Sequence, residues 1–204
     1  EDLREVLPDG VPNSVQEKLD MLRGRVTRMN RMLSDMLTFA RSTHGQVLVQ
    51  EKTIDINGIL SDAKTWIDKP DGMHLNIDTI DFGLKVAPTG LRQVLQNLLT
   101  NAVRHHDRQE GKVDVTGQQN ADGSATIVVT DDGPGIAPEY HESVFKAFTT
   151  LKRRDEVDST GVGLAVVDRL MTNLGGRVAV VSPVDDRGCR FELTFPADLV
   201  GALV

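Results

Sequence analysis

The sequence predicts an α+β protein: a long amphipathic helix followed by a unit of mixed strands and helices. Three observations carry that expectation. Apolar residues recur at Val15, Leu19, Leu22, Val26, Met29, Leu33, Met36 and Ala40, alternating spacings of four and three over more than three heptads. Beyond residue 46 the pattern changes to short alternating runs, such as Met73, Leu75 and Ile77 with His74, Asn76 and Asp78 between and after them. Those runs are mixed with helical stretches without strict alternation, which points to a largely antiparallel sheet covered by helices on one face.

The elements follow in order. Leu3, Val6 and Leu7 read as the tail of a helix ending at the turn Pro8-Asp9-Gly10. Ser14-Val15-Gln16-Glu17 is a capping box, in which the serine accepts from the backbone of Glu17 and the glutamate reaches back. The helix it opens runs to a stop at Gly45, about 30 residues or roughly 45 Å. Met32, Leu37 and Phe39 widen its apolar stripe, favouring a four-helix bundle over a two-stranded rope. One such helix and a stub cannot bury that stripe. A homodimer of two hairpins can, the alternative being a hairpin packed on the rest of the chain. The character of the sequence shifts near residues 45–52, dividing the chain into a helical segment, 1–47, and a second unit, 48–204. In that unit strands are expected at Met73–Ile77, Lys112–Thr116, Ala125–Thr130, Arg177–Ser182 and Cys189–Phe195. Helices are expected at Ile54–Trp66, Thr89–His105 and Gly163–Leu174.

Composition excludes several classes. A length of 204 residues fits one or two domains, and 39% hydrophobic residues supply a real core, so wholesale disorder is not expected. Acidic residues outnumber basic ones 30 to 23, for a net charge of −7, which makes a poor general nucleic-acid binder. The single cysteine, Cys189, rules out an internal disulfide framework and fits a reducing, cytoplasmic compartment. Apolar runs such as Val178–Val181 are far shorter than the ~18 residues a membrane helix needs, so no membrane contact is expected of this stretch. The chain opens on Glu1 rather than Met and reads as a fragment, which leaves room for a membrane anchor upstream.

Three local patterns carry chemistry. On the helix from Leu91 to His105, the residues Leu91, Val94, Leu95, Leu98 and Ala102 form a buried stripe. Asn97 and Asn101, four apart, share another face with Arg104 and His105 beyond them. Amide oxygens suit Mg²⁺ and a guanidinium suits phosphate oxygens, although a plain solvated face gives the same pattern. In Val129-Thr130-Asp131-Asp132-Gly133-Pro134-Gly135-Ile136 a strand runs into acids and glycines. A carboxylate fixed there can accept from an exocyclic amine such as that of adenine, and glycine lets backbone approach a ligand, whereas a simple Asp-Gly turn is the bland reading. Ser159-Thr160-Gly161-Val162-Gly163-Leu164 opens a helix whose exposed amides can face an anion, or merely cap a turn. Between Gly135 and Gly161 lie 25 residues containing Phe145, Phe148, Lys152, Arg153 and Arg154. Loops beyond ~12–15 residues are uncommon without a purpose, and a lid over a charged ligand fits this one. The aromatics also suit pinning the loop to the core.

Taken together, Asn-x-x-x-Asn-Ala-x-Arg-His, Asp-x-Gly-x-Gly, Phe-x-x-Phe and Thr-Gly-x-Gly-Leu resemble, in order and spacing, the ATP-binding domain of sensor histidine kinases. The resemblance runs from about residue 48 to Pro196, and the stretch 150–157 is similar to the phytochrome-like branch. It implies a two-layer α/β sandwich of the Bergerat type. The heptad helix resembles the second arm of the dimerisation and phosphotransfer hairpin, most of whose first arm is lacking. The resemblance further implies that Asp131 reads the adenine amino group, that Asn101 holds Mg²⁺ with Asn97 beside it, and that Arg104 and His105 lie near the phosphates. Gly133, Gly135 and Ile136 would shape the adenine pocket. Thr160, Gly161, Val162, Gly163 and Leu164 would form the phosphate end, with Phe148 and Lys152 contributed by the lid. Asn97 and Arg104 are the expected catalytic pair, and ATP and Mg²⁺ the expected cofactors. Ser159 stands where the family often has glycine.

Hydrolases that resemble this fold place Glu at the position of Asn97 to activate water, and an amide cannot act as that base. Transfer to a protein acceptor is therefore expected, governed by metal and positioning. Of His44, His74, His105, His106 and His141, none lies in a His-Glu or His-Asp box followed by Pro, so this chain carries no phosphoacceptor and the resemblance puts it upstream of Glu1. His44 reads as a C-terminal capping cation, His106 as solvent-facing, and Cys189 as a buried small residue. The expected partners are a second copy of the chain and the receiver domain of a response regulator, for which the basic residues Lys18, Arg23, Arg25, Arg28, Arg31 and Arg41 offer a docking face or simply a solvated one. Two other readings stay open: a dimeric scaffold or phosphotransfer module without its histidine, and a serine kinase of the anti-sigma type.

Overall fold

A computed structural model describes residues 13–43, 49–67, 70–149, 161–184 and 186–203. The stub ending at Gly10, the stop at Gly45, His44, and the lid residues Lys152, Arg153, Arg154, Ser159 and Thr160 lie outside them.

Helix α1 spans Asn13–Thr43, 31 residues, starting one residue before the predicted serine. Strand β1 (Val49–Ile54) follows, then α2 (Ile56–Trp66), whose Asp55 cap accepts the Asn57 N–H at 2.9 Å. Strands β2 (Met73–Ile77) and β3 (Gly83–Val86) precede α3 (Pro88–Arg104). The antiparallel pair β4 (Gly111–Gln119) and β5 (Ala125–Asp131) comes next. A 3₁₀ turn at Pro138–Tyr140 leads on, and α4 (Gly163–Asn173), β6 (Arg177–Val181), β7 (Cys189–Phe195) and the short β8 (Val200–Gly201) complete the order.

The main sheet has the order β2-β4-β5-β7-β6, with β2 parallel to β4 and every other pair antiparallel. Its register stacks apolar side chains in rows across the strands. Val115, Val129, Phe191 and Val180 form one row, and Ile127, Leu193 and Val178 the next. These rows meet the apolar stripes of α2, α3 and α4 in one continuous core that includes Ile56, Leu60, Leu95, Leu98, Val167 and Met171. The α+β expectation thus holds. β4 runs three residues beyond its predicted end, paired with β5 as far as Gln119 opposite Ala125, and passes under Ile80 at Gly117, where a Cβ would lie 2.8 Å from Ile80 Cγ1.

A second sheet, β1-β3-β8, was not expected from the sequence. It is antiparallel, and Thr53 of β1 lies over two glycines. A Cβ on Gly83 would overlap the Thr53 methyl, and one on Gly201 would lie 2.6 Å from its Oγ1. This sheet joins the chain entering from α1 to the strand that feeds α3. Helix α1 itself rests beside α4, yet its seam residues Leu22, Val26, Met29 and Leu33 are 55–63% exposed.

Candidate functional site

Asp131 is the last residue of β5, and the register places it in the row Leu75–Val113–Asp131–Cys189. A carboxylate has therefore been set at the rim of the apolar face of the sheet. Burial pushes its pKa up, against the opposing pull of the Gly133 and Cys189 N–H groups and of His106. Its Oδ1 accepts the Gly133 N–H at 3.0 Å, a tight Asx turn that fixes the direction of the carboxylate. The neighbouring Cys189 thiol, buried and facing Asp131, is pushed up to about 11 and is inert. Asp132 has the opposite environment: burial works against its charge, but the Lys112 N–H at 2.7 Å and His106 at 3.0 Å outweigh it and hold the carboxyl below its usual range.

The loop beyond Asp131 is stitched to the hairpin between β6 and β7. Ser182 Oγ, buried, accepts the Ile136 N–H at 2.8 Å and donates to the Gly188 carbonyl at 2.7 Å. Arg187 shares its Nε–H between the carbonyls of Asp132 (2.7 Å) and Gly133 (2.9 Å) and donates from Nη2 to Asp107 at 2.6 Å. Gly135 and Gly188 both have φ +82, and a Cβ on Gly188 would overlap the Asp131 carbonyl. His106 corrects its sequence-based reading as solvent-facing. Its side chain is 2% exposed, paired with Asp132 and packed where a Cβ on Gly111 would overlap the ring.

The other end of the site lies between α3 and α4. The position of a Cβ on Gly163 lies 3.6 Å from Asn101 Nδ2 and 3.8 Å from Asn97 Oδ1, so the predicted pair of amides and the second glycine box come together. Asn97 donates Nδ2 to the Gln93 carbonyl at 3.1 Å, which turns Oδ1 toward Gly163. The half-buried side-chain amide of Asn101 has no hydrogen-bond partner among the described residues. α4 begins beside the asparagines without a side-chain cap and without an acidic residue in its first turn, so no side chain of its own takes up its leading amides. Gly161 (φ +67) makes the turn into α4, Val162 is buried and Leu164 packs on the core. Arg104 ends α3 exposed, and His105 follows as its C-cap, donating its N–H to the Asn101 carbonyl at 2.9 Å.

The two aromatics divide the roles considered for them. Phe145 packs against the core and pins the segment. Phe148 is 51% exposed and takes φ 67, a left-handed backbone unusual for a bulky residue, held by its N–H on the Gly161 carbonyl at 2.7 Å. Gly133 donates to Asp131, while Gly135 and Ile136 lie against Ser182. Sequence reasoning missed Ser182, Arg187, Asp132 and His106. Their role is set by pairing across 20 to 80 residues of chain, for which the sequence holds no periodic signal.

Residues 86–199 match the family described as Histidine kinase-, DNA gyrase B-, and HSP90-like ATPase. Sensor histidine kinase CusS of Escherichia coli (strain K12) is 32% identical over 177 residues, 84% of this chain and 36% of that protein. The crystal structure of full-length ShkA in complex with AMPPNP matches with a TM-score of 0.73 and 26% identity, over 93% of this chain and 39% of that one. Histidine kinase ThkA, solved in complex with response regulator protein TrrA, shares the fold with a TM-score of 0.64 at 19% identity, over 95% of this chain and 54% of that one. The chain spans a little over a third of the length of the curated relatives it matches, 36% of CusS and 38% of ZraS.

Proposed function

The chain belongs to the Histidine kinase-, DNA gyrase B-, and HSP90-like ATPase family, as the ATP-binding core of a sensor histidine kinase, and from that premise we propose that it passes the ATP γ-phosphate to a histidine outside residues 1–204. One observation supports this most: two neutral amides of α3 face the uncapped, acid-free N-terminus of α4. Those amides offer hard oxygen ligands and no general base for water. The residues present thus fit Mg²⁺, which Asn101 would hold with Asn97 beside it. When bound, the ion neutralises charge on the phosphate oxygens.

The chain's own residues do the rest. The Asp131 carboxylate accepts from the adenine amino group, and a carbonyl at that position of the base is rejected by its lone pairs. The amides of Gly161 to Leu164 and the start of α4 receive the phosphates, with Arg104 and His105 near them. Phe148 and Lys152 belong to the cover over the nucleotide, and Thr160 to its phosphate end. Asn97, with its oxygen aimed at the phosphate end, orients rather than deprotonates, so the γ-phosphate waits for an aligned nucleophile. Residues 1–47 contribute the second arm of a dimerising hairpin and 48–204 the catalytic unit. The exposed seam of α1 is covered by a second copy of the chain, and the acceptor histidine relays phosphate to a response-regulator receiver domain. The site works on the cytoplasmic side, and among the described residues no helix is long and apolar enough to cross a membrane.

The test is calorimetric titration with Mg-ATP and Mg-ADP, then incubation with labelled ATP and a separately supplied first hairpin helix bearing its histidine. Binding and acid-labile label on that helix are expected. Acid-stable label on serine, or no nucleotide binding, overturns the reading.

A further inference from the structure

We propose that Arg187, which lies outside both glycine boxes, is the positioning residue that keeps the base-reading carboxylate in register with the asparagine-bearing helix. This rests on the nucleotide reading above. Arg187 sits in the hairpin between β6 and β7, with 27% of its side chain exposed. Its guanidinium meets three acceptors from two separate segments: the carbonyls of Asp132 and Gly133 on Nε, and the Asp107 carboxylate on Nη2 at 2.6 Å. Asp107 lies three residues beyond Arg104, the end of α3. The adjacent His106 makes a second tie between the same segments, to Asp132 Oδ1 at 3.0 Å. The loop 131–133 is therefore held to the exit of α3 at two points, one of them through Arg187.

The chemistry requires arginine. Three acceptors in a fixed spread suit a planar fork of donors, whereas a lysine ammonium is a single point on a flexible stem. Of the carbonyls that Arg187 holds, that of Asp132 shares a peptide with the Gly133 N–H that fixes the Asp131 carboxylate, and that of Gly133 follows directly. Releasing them lets that turn rotate, so the base end of the site loosens while the Asn97–Asn101–Gly163 end keeps its shape.

The experiment titrates the whole chain, wild type and with Arg187→Gln and Arg187→Lys, against Mg-ADP, Mg-GDP and inorganic triphosphate. For Arg187→Gln, which removes all three contacts, ADP affinity is expected to fall roughly tenfold, the low end of what losing the Asp131–adenine hydrogen bond would cost. The preference for ADP over GDP should narrow by the same factor, with triphosphate affinity unchanged. Arg187→Lys keeps the Asp107 pair and should recover part of the loss. Equal weakening toward all three ligands marks a merely structural role and overturns the proposal, as does unchanged ADP affinity. Should Arg187→Gln not fold, Arg187→Lys decides by the same criteria. A wild type that binds no ADP overturns the nucleotide reading, and this proposal with it. A wild type that binds, with variants indistinguishable from it, overturns the proposal alone.

Discussion

Replacing Asp131 with asparagine separates the ligand contact from the fold. The amide oxygen can still accept the Gly133 N–H that now lies 3.0 Å from Oδ1, so the turn survives. The substitution also removes a charge whose burial is unfavourable, so the variant should be at least as stable as the parent. What it loses is a charge-assisted hydrogen bond to the adenine amino group, worth ~1.5–3 kcal/mol, which corresponds to a roughly 10- to 150-fold rise in the Kd for Mg-ADP. The new amide N–H₂ also opposes the adenine amino group donor to donor, while it can donate to the carbonyl that guanine carries there. ADP affinity should therefore fall as GDP affinity rises. Calorimetric titration with both nucleotides, beside thermal unfolding of each protein, reads all three quantities. An unchanged Kd for ADP in a folded variant refutes the assignment of Asp131 to the base. An equal loss for both nucleotides refutes the hydrogen-bond argument and leaves only an effect on loop shape.

Further outcomes follow from the same geometry. The raised pKa of Asp131 means that between 3.8 and its folded value the native chain holds a proton the unfolded chain has released. Its contribution to stability thus falls as pH rises through that window, and Asp131→Asn should flatten this slope in urea midpoints measured across the acid range. Asp132 acts in the opposite sense, its stabilisation being present above 3.8 and lost as pH falls through its lowered value, so Asp132→Asn should blunt acid unfolding. Gly188→Ala combines φ +82 with overlap on the Asp131 carbonyl and should cost at least ~1–3 kcal/mol in urea unfolding. A Cβ on Gly163 makes only ordinary contacts at 3.6 Å and beyond, so Gly163→Ala should unfold like the parent, and a matching loss in both variants would contradict this. Met29→Glu with Leu33→Glu should convert a dimer to a monomer in sedimentation without changing Mg-ADP affinity, because these residues lie exposed on the seam of α1. A monomeric parent protein would remove the basis for that expectation.

The elements legible in the sequence are those whose side-chain period matches their burial. The seam of α1, the stripe Leu91-Val94-Leu95-Leu98 and the alternation Met73-Leu75-Ile77 each announce their own geometry. β1 and β3 escaped notice for a physical reason. Val-Gln-Glu-Lys-Thr-Ile carries mostly polar residues, and Gly-Leu-Lys-Val is four residues long, its first a glycine that gives way to Thr53. The parallel pairing of β2 with β4 depends on a crossover that no local pattern records. At the site, Asn97, Asn101, Asp131 and the glycines were readable because each motif is contiguous and its chemistry local. The clamp of Ser182, Arg187 and His106 was not, because its partners come together only once the sheet has formed. His106 misled for the same reason: after a helix end it reads as a surface residue, and only Gly111 and Asp132 bring it inside.

The small sheet has a bearing on how such units are exchanged. β1 and β8 lie on opposite sides of β3, so residues 49–54 and 200–201 each stand one strand spacing from a common neighbour. Two such spacings amount to roughly 10 Å. A block bounded by residues 49 and 201 can then be lifted out and grafted behind a different helix, or have a further module appended to its far end. Recombination at those two seams would pass on the Asp131 loop and the asparagine pair as one piece.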